Sequence, residues 1–385
     1  MSHPLSTSDI KLNNRRLVLN SIFSAGTTSR TRLAKELHMS KPAVSDNLSP
    51  LLDCGIVTEA GEGDSGPSGG RKQILLKFNP DNRYIISIDL SSSSVIFALS
   101  NLNGNILNTF EVSVQEDTSP AACLNLLCSG IRVLQQASVT DIRQIYCIAV
   151  AAPGSFSEES DLISCNIKCG CPPWYQLDLK KELSQTFALP VLIYNNIKAA
   201  ALGEYIRGAC TERPNTLFLS TGLGIGIGIL LDGRIFLGED GNAGEVYDYM
   251  DYLTPGQNFE SVTCLPYLRR RCGEASAFRA EPTLPRIVEA YQQKDPEIME
   301  IIREICSKLA RMVYNHLNFI SLHSVCFAGE YAPFFETFRQ ELLSLYQNST
   351  RPAPVICQTA LQKLGSTAGM LYLARQNYFE DLCSR

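Results

Sequence analysis

Residues 220–245 read STGLGIGIGILLDGRIFLGEDGNAGE, a stretch that is rich in glycine and in branched apolar residues. Two strands, IGIGILL and RIFLG, are predicted within it, because an Asp-Gly pair between apolar runs is a strong signal for a tight hairpin. TLFLST, just before them, adds a third strand. The stretch therefore predicts a three-stranded meander over residues 216–238.

The same pattern occurs earlier in the chain. YIISIDL (84–90), VIFALS (95–100) and NILNTFEVSV (105–114) form another predicted meander with an Asn-Gly turn. Helical segments and an apolar strand follow each copy. A repeated meander with helices predicts an α/β protein made of two half-domains that face a cleft. Such a cleft is a natural site for a small molecule.

Three domains are predicted. Residues 79–195 form the first half-domain and residues 196–385 the second, with the last helix packing back on the first. Residues 1–78 read as three short helices and a hairpin whose tip is GEGDSGPSGG. Apolar residues of the third helix fall on one face, at Val44, Leu48, Leu51 and Leu52. This order predicts an amino-terminal winged helix-turn-helix.

In a winged helix-turn-helix the third helix enters the major groove, and the wing contacts the DNA backbone or minor groove. The residues predicted to contact DNA are Arg30, Ser40, Lys41, Pro42, Ser45, Asn47, Arg71 and Lys72. Arg30 and Lys41 suit phosphates, Ser45 and Asn47 suit base edges, and Arg71 and Lys72 suit a narrow minor groove. Asp46 on the same face repels phosphates, although its carboxylate can accept a hydrogen bond from cytosine N4. The alternative is a small helical domain used for protein contacts.

Composition is that of a globular protein, with 19% charged and 45% hydrophobic residues in a chain of 385. No apolar run reaches the ~20 residues of a membrane helix, and the amino terminus lacks the apolar core of a secretory signal. Residues 1–78 carry ten basic and seven acidic residues, although the whole chain has a net charge of −5. We therefore expect a cytoplasmic protein whose basic amino-terminal domain, residues 1–78 (the head), binds a polyanion. We also expect its 14 cysteines to be reduced.

SRTRLAKELHMSKPAVSDNLSPLLDCGIV (29–57), GGRK (69–72) and residues 220–245 together resemble the ROK family of repressors and sugar kinases. The resemblance implies an actin/hexokinase-like, that is ribonuclease H-like, fold for the two half-domains. In the regulators of that family, a winged helix-turn-helix precedes a body like that of a sugar kinase.

The resemblance implies two glycine-containing hairpins that hold ATP phosphates, where bare backbone approaches the nucleotide. At the first hairpin Asp89 is present, but Leu90 and three serines replace the glycines. At the second hairpin Thr221, Gly222 and Gly224 are all present. These glycines are explained equally well as a residual phosphate loop or as positions of tight packing at the floor of the cleft.

Catalysis in such kinases needs an Asn-Asp pair, and this chain has Asn195-Asn196 at that place. The aspartate takes a proton from the attacking hydroxyl, which contributes about 10²–10⁴ in rate. An amide accepts hydrogen bonds but cannot act as that base. We therefore expect a body that binds without catalysing, with no catalytic residue and no cofactor.

A polar cluster suited to a polyhydroxylated ligand is still predicted in the cleft, formed by Asn195, Asn196, Glu245 and Asp248. The resemblance implies a histidine where Asp248 stands. It also implies that a loop with Asn166 and Trp174 closes over the sugar, so Asn166 is a further predicted ligand residue. The alternative is that the polar side chains of the cluster hydrogen-bond to one another, and that Trp174 packs at the surface as an anchor.

The family's structural zinc motif is degenerate in this chain. Only Cys264 remains, and Pro266 stands where a glutamate is expected, so no metal is predicted there, because a tetrahedral zinc site needs four ligands. Cys165, Cys169 and Cys171 form a separate C-x3-C-x-C cluster. Three thiolates can hold a soft cation, although no fourth ligand is evident nearby.

The leading hypothesis is a DNA-binding transcriptional regulator, a homodimer or homotetramer, that binds a palindromic operator and senses a sugar or sugar derivative. The resemblance implies repression that the sugar relieves; the residues themselves leave the sign open. One alternative is an active ATP-dependent sugar kinase with a fused DNA-binding domain. Another is a metal- or thiol-responsive regulator that uses the Cys165 cluster.

Overall fold

A computed structural model describes the chain over residues 7–63, 72–90, 94–114, 118–137, 142–156, 163–164, 174, 177–246, 249–250, 256–278 and 280–384. Short 3-10 turns connect several of the longer elements, at Pro80–Asn82, Ile142–Gln144, Glu260–Val262, Ala332–Phe334 and Gln362–Leu364. Among the described helices, none combines the length and the apolar character that a membrane span requires.

The head begins with the helix α1, and its elements are α1 (Thr7–Ala25), β1 (Thr27–Ser29), α2 (Arg30–Glu36), α3 (Lys41–Asp53), β2 (Val57–Glu62) and β3 (Ile74–Phe78). The strands form an antiparallel sheet in the order β1-β3-β2. Ser29 and Ser40 cap the two short helices, because their hydroxyls accept hydrogen bonds from the N–H groups of Arg32 and Ala43. Three helices and this sheet make a winged helix-turn-helix.

The first half of the body is built on a five-stranded sheet. Its elements are β4 (Tyr84–Leu90), β5 (Ser94–Asn101), β6 (Ile106–Ser113), α4 (Pro120–Ala137), β7 (Ile145–Ala152), β8 (Ser155–Phe156), β9 (Ile163–Ser164), α5 (Leu179–Phe187) and β10 (Val191–Asn195). The strand order is β10-β7-β4-β5-β6, while β8 and β9 pair separately. The meander β4-β5-β6 is antiparallel, and β7 and β10 extend it in parallel.

The second half repeats this design. Its elements are α6 (Asn196–Arg207), β11 (Thr216–Thr221), β12 (Ile225–Leu231), β13 (Arg234–Ile235), α7 (Leu265–Gly273), α8 (Leu284–Gln292), α9 (Pro296–Ile320), β14 (Ser324–Gly329), α10 (Phe335–Tyr346), β15 (Val355–Gln358) and α11 (Gly365–Ser384). The order β13-β12-β11-β14-β15 is an antiparallel meander followed by two parallel strands. The α/β fold with two like halves is therefore confirmed, whereas the exact domain boundaries stay predictions.

The helices α6 and α11 pack against each other through glycines. A Cβ atom at Gly203 would overlap the carbonyl oxygen of Gly365, and one at Gly369 would overlap that of Ala199. The two backbones can approach this closely only because both positions lack a side chain.

The same helix α11 joins the body to the head. Met370 and Ala374 share a buried apolar cluster with Cys147 of the first sheet. Farther along α11, the ring of Phe379 packs edge-on against Phe23 and Phe78 of the head. Head, first sheet and α11 therefore share one hydrophobic core.

Candidate functional site

The corner between β10 and α6 is fixed by Asn195. Its Oδ1 atom accepts a hydrogen bond from the N–H of Lys198 at 2.9 Å and caps α6, while its Nδ2 atom donates to the Gly154 carbonyl at 2.9 Å. Only 8% of the residue is exposed. Both ends of the Asn195 amide therefore stabilise the fold, and contact of this amide with a ligand stays a prediction.

Asn196 begins α6 and is half-buried. Its Oδ1 atom is buried and has no hydrogen-bond partner among the described residues. Buried acceptors in proteins are normally paired. A donor from a bound molecule, such as a sugar hydroxyl, would satisfy this oxygen, and an amide here supplies no base.

Lys198 is a site residue that the sequence reasoning missed. The side chain is 2% exposed, and its Nζ atom donates to the Gly241 carbonyl at 2.7 Å and lies 3.5 Å from Glu245 Oε1. Buried cations need such partners. The available signal was a lysine on an otherwise apolar turn of α6. Glu245, a predicted ligand residue, is thus already paired with a buried cation.

The backbone around Glu245 explains the glycine that precedes it. Gly244 has a φ of 88°, and a Cβ atom there would overlap the Ile227 carbonyl oxygen. Glu245 itself forms an isolated antiparallel bridge with Gly226 of β12. The Glu245 carboxylate is therefore anchored beside the glycine hairpin.

Thr221, predicted as part of a residual phosphate loop, uses its hydroxyl within the sheet. The hydroxyl donates to the Ala328 carbonyl at 2.9 Å and accepts from the N–H of Tyr331 at 3.2 Å, and the residue is 2% exposed. The hydroxyl is therefore committed to joining β11 to β14, which contradicts a phosphate contact from that side chain.

The glycines of this hairpin face carboxylates. Glu260 Oε2 accepts a hydrogen bond from the N–H of Ile225 at 3.0 Å, and a Cβ atom at Gly224 would come within 2.8 Å of the same oxygen. A Cβ atom at Gly222 would lie 3.5 Å from Glu330 Oε1. Burial raises the pKa of Glu260, against the opposing effect of the Ile225 hydrogen bond. A protein carboxylate thus occupies backbone that a phosphate loop would offer to a nucleotide.

Gly226, farther along the hairpin, is required for packing. A Cβ atom there would come within 2.7 Å of Ile197 Cγ1, so the glycine lets α6 pack directly on β12. For this position the packing explanation is the correct one.

Asp89 at the end of β4 accepts a hydrogen bond from the hydroxyl of Ser366, at the start of α11. Burial raises the pKa of this carboxyl to about 6, partly opposed by the Ser366 hydrogen bond and assisted by Glu111. Asp89 therefore links the first sheet to α11. Residues 91–93, where the glycines are replaced, lie outside the described residues.

The predicted DNA-binding face is only partly as expected. Lys41, Pro42 and Ser45 are exposed on α3, while Ser40 caps that helix. Two predicted cations are paired with acidic residues of β2: Arg30 Nη2 lies 3.1 Å from Glu59 Oε1, and Lys72 Nζ lies 3.5 Å from Glu62 Oε2. These exposed pairs are weak, so both cations can exchange the carboxylate for a phosphate.

Asn47 corrects the sequence prediction. The residue is 4% exposed, and its Nδ2 atom donates to the Ala43 carbonyl one turn earlier at 2.8 Å. Its position at the margin of the apolar stripe turns it inward, beside Val44 and Leu48. It cannot reach base edges from there.

Several predicted residues lie outside the described part of the chain: Arg71, Asn166, Asp248, Cys165, Cys169 and Cys171. Trp174 is described and is fully buried in the core of the first half, with Leu179, Leu183 and Ile193. It is therefore neither a surface anchor nor an open face for a sugar.

A pocket of about 460 Å³ lies away from this cleft. Its walls include Arg213, His323 and Val355, near the amino ends of β11, β14 and β15. Asn196 and the glycine hairpin lie at the other ends of these strands. None of the predicted ligand residues that the structure describes lines this pocket.

The chain is similar to known proteins over most of its length. The ROK family model matches residues 85–264. A xylose repressor from Staphylococcus xylosus is 30% identical over 313 residues, which cover 78% of each chain.

Solved structures share the fold. A ROK family transcriptional regulator, a homologue of the E. coli MLC protein, superposes with a TM-score of 0.78 at 21% identity over 97% of this chain and 98% of that one. A ROK family glucokinase from Streptomyces griseus, solved with glucose and AMPPNP, superposes with a TM-score of 0.65 at 19% identity over 76% of this chain and 99% of that one. By its sequence and its fold, the chain belongs to the ROK family.

Proposed function

We propose that this ROK-family protein is a DNA-binding transcriptional regulator, a repressor, whose sugar-kinase-like body senses a small molecule and catalyses no reaction. The observation that carries the proposal is the buried Oδ1 atom of Asn196, which has no hydrogen-bond partner among the described residues. The family resemblance implies that Asn196 stands where a sugar kinase has its catalytic base. That oxygen suits a ligand hydroxyl and cannot remove its proton. The similarity to a xylose repressor supports a sugar as the effector.

The helix α11 is the connection between sensing and DNA binding. At its start Ser366 holds Asp89, along its length it packs on α6, and near its end Phe379 packs on Phe23 of the head. A ligand held between Asn196 and Glu245 would change how α6 sits against the first sheet. Movement of α6 then reaches the head through α11.

A symmetric oligomer fits this mechanism, because two heads reading a palindrome must keep the spacing of two half-sites. We propose a homodimer or a homotetramer in the cytoplasm. Coupling between effector and operator sites amounts typically to about 1–3 kcal/mol, or 5–150-fold in affinity.

The test begins with selection of binding sites from random-sequence duplex DNA by the full chain. We expect a palindromic consensus, and an affinity whose logarithm falls linearly with the logarithm of salt concentration. A thermal-shift panel of pentoses, hexoses and their phosphates, with xylose first, then finds the sugars that bind. The effector is the sugar that also changes the dissociation constant for DNA. Absent or salt-insensitive DNA binding would contradict the proposal.

An active sugar kinase is the second candidate, favoured by the glucokinase fold and the retained glycine hairpin. Two observations oppose it: Asn196 at the base position and the Glu260 carboxylate on the hairpin. ATP-dependent phosphorylation across the same sugar panel decides between them. We expect no turnover by the unaltered chain, and at most a partial gain in Asn196→Asp.

A further inference from the structure

Three cysteines from distant parts of the sequence meet beside the second sheet. The sulfur atoms of Cys210, Cys326 and Cys357 all lie within 4.8 Å of one another, and Cys210 Sγ lies 3.8 Å from Cys357 Sγ. Cys210 and Cys326 are buried, whereas Cys357 is half-exposed. None of the three belongs to the predicted ligand residues of the cleft, and none is a member of the C-x3-C-x-C motif at Cys165.

Two parallel strands and the turn after α6 fix the three positions. Cys326 and Cys357 are direct neighbours in the register of the parallel strands β14 and β15. Cys210 follows the end of α6, where its N–H donates to the Glu204 carbonyl at 3.0 Å. Two of the sulfur atoms are thus positioned by the sheet and the third by the turn that ends α6.

A buried carboxylate of α6 close to Cys210 in the sequence is already hydrogen-bonded. Glu204 is fully buried, and its side-chain oxygens accept hydrogen bonds from the hydroxyl of Thr359 and from the N–H groups of Ala209, Ala360 and Leu361. Among the described residues, the possible metal ligands that lie together here are the sulfur atoms of the three cysteines. A donor set of sulfur alone selects soft cations.

We propose that Cys210, Cys326 and Cys357 form a three-coordinate binding site for Cu(I). A metal–sulfur bond of about 2.3 Å places the sulfurs of a trigonal site about 4.0 Å apart, close to the separation of Cys210 and Cys357. Zinc in structural sites takes four ligands, which this cluster does not supply. Cu(I) is the soft, thiolate-preferring ion that a set of three sulfurs suits.

Exposure gives the site an entry ligand. Cys357 is half-exposed, whereas Cys210 and Cys326 are buried. An arriving cation therefore meets the Cys357 sulfur first, and each thiol loses its proton to solvent as its sulfur coordinates the ion.

Packing alone and disulfide formation are the competing outcomes. Buried cysteines commonly act as small apolar residues. A Cys210–Cys357 disulfide would need the sulfurs to move from 3.8 Å to a bond length of about 2.05 Å. Neither outcome needs the third cysteine, whereas a trigonal copper site does.

The experiment uses the full chain with Cys165, Cys169 and Cys171 replaced by serine, so that the other cluster cannot contribute. Cu(I), supplied as its acetonitrile complex under argon, is titrated in competition with a chromophoric Cu(I) chelator. We expect one ion per chain, bound at least tenfold more tightly than in Cys326→Ser or Cys357→Ser. The controls Cys306→Ser, equally buried, and Cys54→Ser, exposed, should leave the affinity unchanged.

X-ray absorption provides a readout that needs no change at Cys210, Cys326 or Cys357. It is measured on the Cu(I)-loaded parent chain, in which only Cys165, Cys169 and Cys171 are replaced by serine. Three sulfur neighbours at about 2.2–2.3 Å are expected. Equal affinity in Cys326→Ser, no binding by the parent, or a sulfur count other than three would overturn the proposal. A Cys210–Cys357 disulfide formed in air without any Cu(I) binding under argon would replace it with a redox role.

Discussion

Glu260 Oε2 accepts a hydrogen bond from the backbone N–H of Ile225 at 3.0 Å, and this places a carboxylate beside the glycine hairpin of the second half. A phosphate at the same backbone would meet an existing negative charge. If the hairpin is a residual phosphate loop, this carboxylate occupies its backbone donor. We therefore expect binding of a nucleotide there to require that Glu260 is displaced or neutralised.

Removing this charge should improve nucleotide binding. In Glu260→Gln we expect the affinity for a non-hydrolysable ATP analogue to rise about tenfold, or ~1.4 kcal/mol, because the repulsion is lost while an acceptor for Ile225 remains. Isothermal titration calorimetry measures the change. Glu212→Gln, at an exposed carboxylate, is the matched control. An unchanged affinity would mean that the Glu260 carboxylate does not oppose nucleotide binding at the hairpin.

The Lys198–Glu245 pair should contribute to stability. Glu245→Ala removes the ion-pair partner of the buried Nζ atom and leaves its hydrogen bond to the Gly241 carbonyl. We expect a loss of about 1–3 kcal/mol in the free energy of unfolding, and a smaller loss in Glu245→Gln. Denaturant unfolding measures both. Glu239→Ala, exposed in the same loop, should have little effect; an equal loss there would contradict a specific pair.

Asp89 should make stability depend on pH. Its pKa is about 6 in the folded chain against an ordinary 3.8, so folding disfavours the charged form. The penalty is fully present above pH 6 and vanishes below 3.8, where the carboxyl is neutral in both states. Asp89→Asn should therefore be more stable at pH 7.5, by at most about 3 kcal/mol.

Unfolding experiments from pH 4 to pH 8 check this expectation. The gain in Asp89→Asn should shrink steadily as the pH falls from 6 towards 4. Asp46→Asn, on the exposed face of α3, serves as the control. A gain that is constant over this range would show that titration of Asp89 is not its cause.

The glycine contact between α6 and α11 should tolerate no side chain. In Gly369→Ala the new Cβ atom would overlap the Ala199 carbonyl oxygen, and we expect a loss of about 1–3 kcal/mol. Gly365→Ala is a matched control in the same helix, because its Cβ would meet Ala200 Cβ at 3.4 Å, an ordinary contact. Thermal unfolding compares the two. Equal melting temperatures would show that the helices can separate at no cost.

Lys41 should contact phosphate, and Asn47 should not contact bases. Lys41→Ala should weaken DNA binding for all sequences alike and reduce the salt dependence of log K by about one unit. Asn47→Ala should leave the preferred sequence unchanged, because its side chain is buried. Fluorescence anisotropy over a salt series measures both, with Lys11→Ala as the control. A change of base preference in Asn47→Ala would contradict its buried position.

The amino-acid sequence determined the repeated meanders, the winged helix-turn-helix and the amide of Asn196, where the resemblance to sugar kinases predicts a carboxylate. Each of these depends on local information: strand alternation, helical spacing, turn residues, or the identity of one side chain. Asn47 shows the limit of these local patterns. A shift of one position along a helix is enough to turn a side chain from the solvent to the core.

Only the tertiary structure decided that Glu260 fills the glycine hairpin, that Lys198 pairs with Glu245, and that three cysteines meet. Cys210 and Cys357 are 147 residues apart in sequence, and no periodicity relates them. Their approach follows from the packing of α6 on the second sheet and from the register of β14 and β15. Contacts of this kind depend on how whole elements pack together, which a local pattern of residues does not specify.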